Sequence, residues 1–171
     1  AIAVAVGKHA SLLVDLERAY LAANNTSIEI TPREELAVGY VIPKSIAEVR
    51  AVCELILSYS ENGVPPEAWM ISTDSETRTL YPWKHDVPKP AIAVSFSWAA
   101  GKATAITLWH PFAPYDPDEA WEIVKTVLEG PKPQALHNGK FDLKVFRRHG
   151  ARKIKLGWDS MLAEHALEED K

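Results

Sequence analysis

The hydrophobic period of the chain changes at Gly63-Val64-Pro65-Pro66, and that change limits the available folds more than any other feature. Upstream, Ile46, Val49, Val52, Cys53 and Ile56 recur at helical spacing behind Ser45 and Glu48, which have the spacing of a capping box. Downstream, WMISTDSE, AIAVSFSW and ATAITLW are short runs rich in β-branched and aromatic residues. They read as three strands, the last two a hairpin across Ala-Ala-Gly-Lys, with a polar, Pro-rich loop over 77–90 between the first and second. The period then returns to helix over 117–129, where Asp116 can cap, Pro117 suits the first turn and Gly130 suits the end. A strand near 135–137, a helix over 141–149 closed by Gly150, a strand near 153–156 and a last helix capped by Asp159 complete the series. Interleaving of this kind argues for an α/β fold with helices packed on a central sheet. The first forty residues read separately, as a short apolar strand or arm over 2–6 and a helix carrying Leu12, Leu13, Leu16, Ala19 and Tyr20.

Composition removes several classes of function. One cysteine, Cys53, forms neither an internal disulfide nor a cysteine metal cluster, and its place on an apolar helix face makes it a core residue. The apolar opening AIAVAV falls far below the roughly 20 residues needed to span a bilayer, so no membrane role is expected and an intracellular protein is. A formal charge of −4 disfavours a general electrostatic DNA binder. The charge is uneven, however: residues 140–155 carry +6, which leaves −10 for the remainder. Phosphate-cradling Gly-x-x-x-x-Gly-Lys and Gly-x-Gly-x-x-Gly patterns are absent, and the six histidines show no metal-ligand spacing.

The acids carry the chemistry. Asp74 and Glu76 stand two apart at the end of a strand, which places both on one face. Asp142 follows at the start of a helix, four positions after Asn138. Taken singly, such residues are solvated edges or ion pairs in most proteins. Gathered within about 5 Å they would repel by roughly 3 kcal/mol per pair at an effective dielectric of 20, and would need cations or protons. Hard oxygen ligands in that number suit Mg²⁺ or Mn²⁺, and two such ions can promote phosphodiester hydrolysis.

Thr73-Asp74-Ser75-Glu76-Thr77 and His137-Asn138-Gly139-Lys140-Phe141-Asp142 resemble the first and second motifs of the DEDD-superfamily 3′→5′ exonucleases. Val94-Ser95-Phe96-Ser97, the helix over 120–128 and Trp158-Asp159-Ser160-Met161-Leu162 extend the likeness to the proofreading domain of family A, DNA polymerase I-like enzymes, over roughly residues 41–168. The resemblance implies a ribonuclease H-like mixed sheet flanked by helices over 41–171; residues 1–40, an N-terminal arm and helix, lie outside it and carry no assigned role. It implies Asp74, Glu76 and Asp142 as catalytic and metal-holding residues for two divalent ions, Mg²⁺ or Mn²⁺. Thr77, Leu80, Asn138 and Phe141 would meet the substrate. The partners it implies are a single-stranded DNA 3′ end and a polymerase domain in the same longer chain, in the cytoplasm or nucleoid, an organelle or a phage-infected cell. The family's third motif, a Tyr-x-x-x-Asp or His-x-x-x-Asp, is expected beyond Lys171, because Glu168, Glu169 and Asp170 come too early and lack the partner residue. Three of four acids are then in hand. A non-catalytic scaffold or DNA-binding module, and an RNA-trimming nuclease resembling RNase D, stand as alternatives.

Two further groups carry expectations. Lys140, Arg147 and Arg148, in the basic stretch, are candidate nucleic-acid contacts, against the plainer reading of a solvated helix face. Of the six tryptophans, Trp69, Trp98, Trp109, Trp121 and Trp158 are expected in the core, whereas Trp83, in the loop after the first motif, is read as loop packing ahead of a strand contact.

Overall fold

A computed structural model describes residues 39–168 apart from 62 and 85. The strand read over 2–6 and the helix read after it lie outside those residues. Helix α1 (Ile46–Ser58) begins where expected, with the Ser45 hydroxyl accepting from the Glu48 N–H at 3.3 Å. The Glu48 carboxylate reaches back to the N–H of Lys44 at 2.9 Å, one residue earlier than in the usual box. Val49, Val52, Cys53 and Ile56 form its buried face, and burial pushes the Cys53 thiol up to about 12, consistent with an inert packing role.

Strands β2 (Ile71–Thr77), β3 (Ala91–Ala99) and β4 (Lys102–Thr107) make an antiparallel meander. Strand β1 (Tyr40–Val41) joins β4 in parallel; β5 (Gln134–Leu136) joins β2 and β6 (Leu156–Asp159) joins β5, also in parallel. The described sheet thus runs β1-β4-β3-β2-β5-β6. Helix α2 (Pro117–Leu128) packs against α1, with the Asp116 carboxylate accepting from the N–H groups of Asp118 and Glu119 at 2.8 and 3.0 Å. Helices α3 (Gly139–Arg148) and α4 (Ser160–Glu168) follow β5 and β6. The core gathers Ile71, Val94, Phe96 and Ile106 of the sheet with Val124, Leu128 and Phe146 of the helices. Each such side chain contributes roughly 1.5 to 3 kcal/mol by leaving water.

One polar chain crosses this core. The Thr73 hydroxyl donates to the Gln134 side-chain oxygen at 2.5 Å, and the Gln134 amide nitrogen donates to the carbonyls of Lys132 and Val127 at 3.0 and 3.4 Å. All three groups need partners when buried, so this chain fixes β2 beside β5 and both beneath α2.

Two expectations shift. The strand read at 153–156 lies at Leu156–Asp159, because the N–H groups of Arg152 and Lys153 donate to the Glu129 carboxylate at 2.5 and 3.0 Å and do not join a ladder. Trp98, Trp109 and Trp121 are buried as expected, but Trp158 is 53% exposed: β6 is an edge strand of the described sheet, and only Asp159 of its residues is buried.

Beyond the C-terminal end of α3, His149 stacks on Trp109 at 4.2 Å between ring centres. Burial, with Lys89 and Arg148 adding positive charge nearby, brings its pKa from 6.5 down to about 4. Between those values the unfolded chain binds the proton and the folded one does not, so this contribution to stability is present above pH 6.5 and is lost as pH falls toward 4. His149→Phe keeps a stacking ring and removes the titration. Its melting temperature is expected to fall less than that of the parent chain between pH 7 and 4.5; parallel curves would contradict the assignment.

Candidate active site

Strand β2 pairs with β5 only through Ile71 and Ser72. Beyond that point β5 turns into α3, and the edge of β2 from Thr73 onward faces a crevice between the carboxyl ends of two parallel strands. Open α/β sheets place their sites in such crevices. The turn that opens it is tight. Asn138 adopts the left-handed conformation at φ 57°, and Gly139 lies so close to Leu136 that an added Cβ would come within 2.8 Å of its side chain.

Asp159 holds this turn. Its carboxylate accepts from the N–H groups of Asn138 at 3.1 Å and Gly139 at 2.8 Å, while also accepting from Met161 at 3.0 Å and Leu162 at 3.4 Å. One buried side chain therefore caps α4, as its position in the sequence implies, and also fixes the start of α3, for which the sequence carries no local signal.

The fixed helix delivers Asp142 to β2. Its carboxylate, 2% exposed, accepts from the Ser75 N–H at 2.9 Å and from the Ser75 hydroxyl at 2.6 Å. Burial raises the Asp142 pKa to about 6, against the lowering effect of the Ser75 hydrogen bonds, and Asp159 adds a further raising charge. Asp74, half-buried on β2, rises to about 7, first through burial and then through the charges of Asp142 and Glu76. Asp74 thus lies within electrostatic reach of both Asp142 and Glu76. Among the described residues, however, no three His, Cys, Asp or Glu side chains converge closely enough to hold a metal ion. One Asp142 oxygen is already engaged by the Ser75 N–H and hydroxyl.

Three of the four expected substrate residues, Thr77, Leu80 and Phe141, line one cleft. Ser75, Glu76, Thr77, Leu80 and Phe141, with Arg78 and Thr79, line a cleft of about 330 Å³. The Thr77 hydroxyl donates to the Thr79 carbonyl at 2.7 Å, and Leu80 stands 79% exposed at the rim. Asn138 is not part of that lining and stands in the turn before α3. Lys140 and Arg147 are exposed on α3. Arg148 is not: its guanidinium donates to the carbonyls of Pro82 at 2.6 Å, Val87 at 2.7 Å and Lys84, clamping the loop that leaves β2. Sequence reasoning missed this clamp and the Ser75 hook. Ser75 alternates away from the two acids, and nothing local distinguishes an arginine bound to carbonyls from one bound to phosphate.

Fold and crevice together define an α/β protein with a partly buried group of acids at the carboxyl ends of neighbouring strands. Residues 40–171 match the sequence profile of the 3′-5′ exonuclease family, and the chain belongs to that family. No curated protein sequence matches it. Similar solved structures include the Aedes aegypti Nibbler EXO domain, with a TM-score of 0.54 and 10% identity across 83% of this chain and 61% of that one. Trypanosoma brucei RNase D in complex with RNA U12 gives 0.51 and 10% across 72% of this chain and 38% of that one. Escherichia coli RNase D gives 0.49 and 16% across 72% and 28%. The chain spans 28 to 61% of the length of these proteins. At such identity the first two bear on the fold alone, and they agree with the ribonuclease H-like sheet read from the sequence. No described helix is long and apolar enough to cross a membrane.

Two outcomes test this geometry. Asp159→Ala removes acceptors from two helix starts and is expected to cost about 2 kcal/mol or more in urea denaturation, each cap contributing about 1. Arg148→Ala is expected to speed proteolytic cleavage within 81–87 with little change in global unfolding; an unchanged cleavage rate would show the clamp to be unnecessary.

Proposed function

We propose that the chain is the 3′→5′ exonuclease unit of a DNA polymerase I-like enzyme, hydrolysing the terminal phosphodiester of single-stranded DNA ends. The observation that carries this reading is the pair of acids, half-buried Asp74 and buried Asp142, brought from separate elements close enough for the charge of Asp142 to act on Asp74. Family membership supports it. The donors fit hard cations in kind: they are carboxylate oxygens, and burial with neighbouring negative charge holds two of them above the ordinary carboxylate range, a strain that bound cations would relieve. Asp74, Glu76 and Asp142 would hold two divalent ions, Mg²⁺ or Mn²⁺, which supply water activation and charge neutralisation in phosphodiester hydrolysis.

The chain's own residues perform the rest. Thr77, Leu80 and Phe141 line the cleft, so a terminal nucleotide there would meet an exposed aliphatic side chain and an aromatic ring. Ser75 steadies Asp142 through two hydrogen bonds, which keeps that carboxylate in place when the local charge changes. A site that takes a terminal nucleotide favours a frayed single strand over a paired end, since unpairing costs least at a mismatch, the basis of proofreading.

A second reading, trimming of RNA, draws support from the fold shared with the Nibbler EXO domain and with a T. brucei RNase D bound to RNA. A third, a non-catalytic module, draws support from the absence of a converged three-ligand set among the described residues. The complete protein, given 5′-labelled single-stranded DNA and RNA with Mg²⁺, is expected to shorten DNA from its 3′ end. Asp74→Ala and Asp142→Ala are each expected to lower the rate by about 10² or more, the scale on which loss of one transition-state stabilising group is felt. Preference for RNA would favour the second reading, and folded protein without digestion the third. Undiminished digestion by both variants would remove these acids from the mechanism.

A further inference from the structure

We infer that the loop leaving β2, together with α3, forms a stacking platform that leads a single-stranded nucleic acid into the crevice. This deepens the nuclease reading and rests on it. Three rings run outward from the cleft in sequence. Phe141 lines the cleft; Trp83 meets it edge to face, with centres 6.2 Å apart; Tyr81 meets Trp83 in the same manner at 5.7 Å. The outer two remain 45% and 52% exposed. Each carries an ammonium group over its face: Lys144 lies 4.7 Å from the centre of Trp83 and Lys84 lies 4.9 Å from that of Tyr81.

Plain loop packing accounts poorly for this arrangement. A loop stabilised by its aromatic residues would bury them, yet here the anchoring is done by the backbone, through Arg148 and the carbonyls of Pro82, Lys84 and Val87. The Lys84 N–H closes a turn on the Tyr81 carbonyl at 3.1 Å. The rings are therefore held in position before anything binds, which lowers the entropic cost of binding. Half-exposed rings with cations beside them match a single strand, whose phosphates take the ammonium groups and whose bases then stack on the rings those groups leave, whatever their sequence. Asp86 is the only acid between residues 78 and 90, against Arg78, Lys84 and Lys89. Arg148 is a positioning residue in this scheme: it acts on the strand through the rings it holds.

The test is equilibrium binding of fluorescein-labelled ten-residue oligo-dT and oligo-U to the complete protein in EDTA, read by anisotropy. Trp83→Ala is expected to weaken both by about tenfold, within the range for loss of one base-stacking ring. Trp83→Phe is expected to retain most of the affinity, and Lys144→Ala to lower the salt slope by about one. Affinity unchanged in Trp83→Ala, or equal losses in the Ala and Phe variants, would overturn the platform. Neither result touches the nuclease reading, which stands or falls on digestion by the parent protein and its loss in Asp74→Ala.

Discussion

The four hydrogen bonds accepted by Asp159 are the constraint on which the site depends. They hold Asn138 and Gly139 in a turn that the backbone adopts reluctantly, since Asn138 lies in the left-handed region. That turn sets where α3 begins, and the start of α3 sets where Asp142 stands. Asp142 then closes on the N–H and hydroxyl of Ser75, which fixes the end of β2 and with it Asp74 and Glu76. A change at Asp159 is therefore transmitted to all three candidate acids, although Asp159 need not touch a substrate.

Charge explains why the site needs such support. Asp74 and Asp142 are both pushed upward, chiefly by burial, and Asp74 further by its acidic neighbours. Carboxylates placed in this way favour separation, and without a scaffold they would move apart into water. Ser75 opposes that movement directly. Around the acids the balance reverses: Lys140, Lys144 and Arg147 are exposed on α3. An acidic centre with a basic margin attracts a polyanion to the margin while repelling it from the centre until cations neutralise the acids.

Much of the fold was legible because it rests on local chemistry. Ser45, Asp116 and Asp159 announce helix starts, and β-branched runs announce β2, β3 and β4. The carboxylate spacing placed Asp74 and Glu76 together, and the family motifs joined Asp142 to them. The errors came where tertiary partners decide. Glu129 captured backbone groups that would otherwise extend β6, and the outer position of β6 left Trp158 in solvent despite an apolar setting in sequence. Gln134 gave no hint of its place at the centre of a buried polar chain. Each of these outcomes depends on a residue more than twenty positions away or on the order of strands in the sheet.

Arg148 shows how the two ends of one helix become a single device. It lies six residues beyond Asp142, a separation of roughly 9 Å along an α-helix. At one end α3 grips the end of β2 through Ser75; at the other it grips the loop that continues from β2 through three carbonyls. Between them Val145 and Phe146 seat the helix in the core with no exposure. The crevice and the aromatic loop are thereby referenced to the same rigid body. Their spacing is fixed by helix geometry, not by the loop, so a displacement of α3 moves the acids and the rings together.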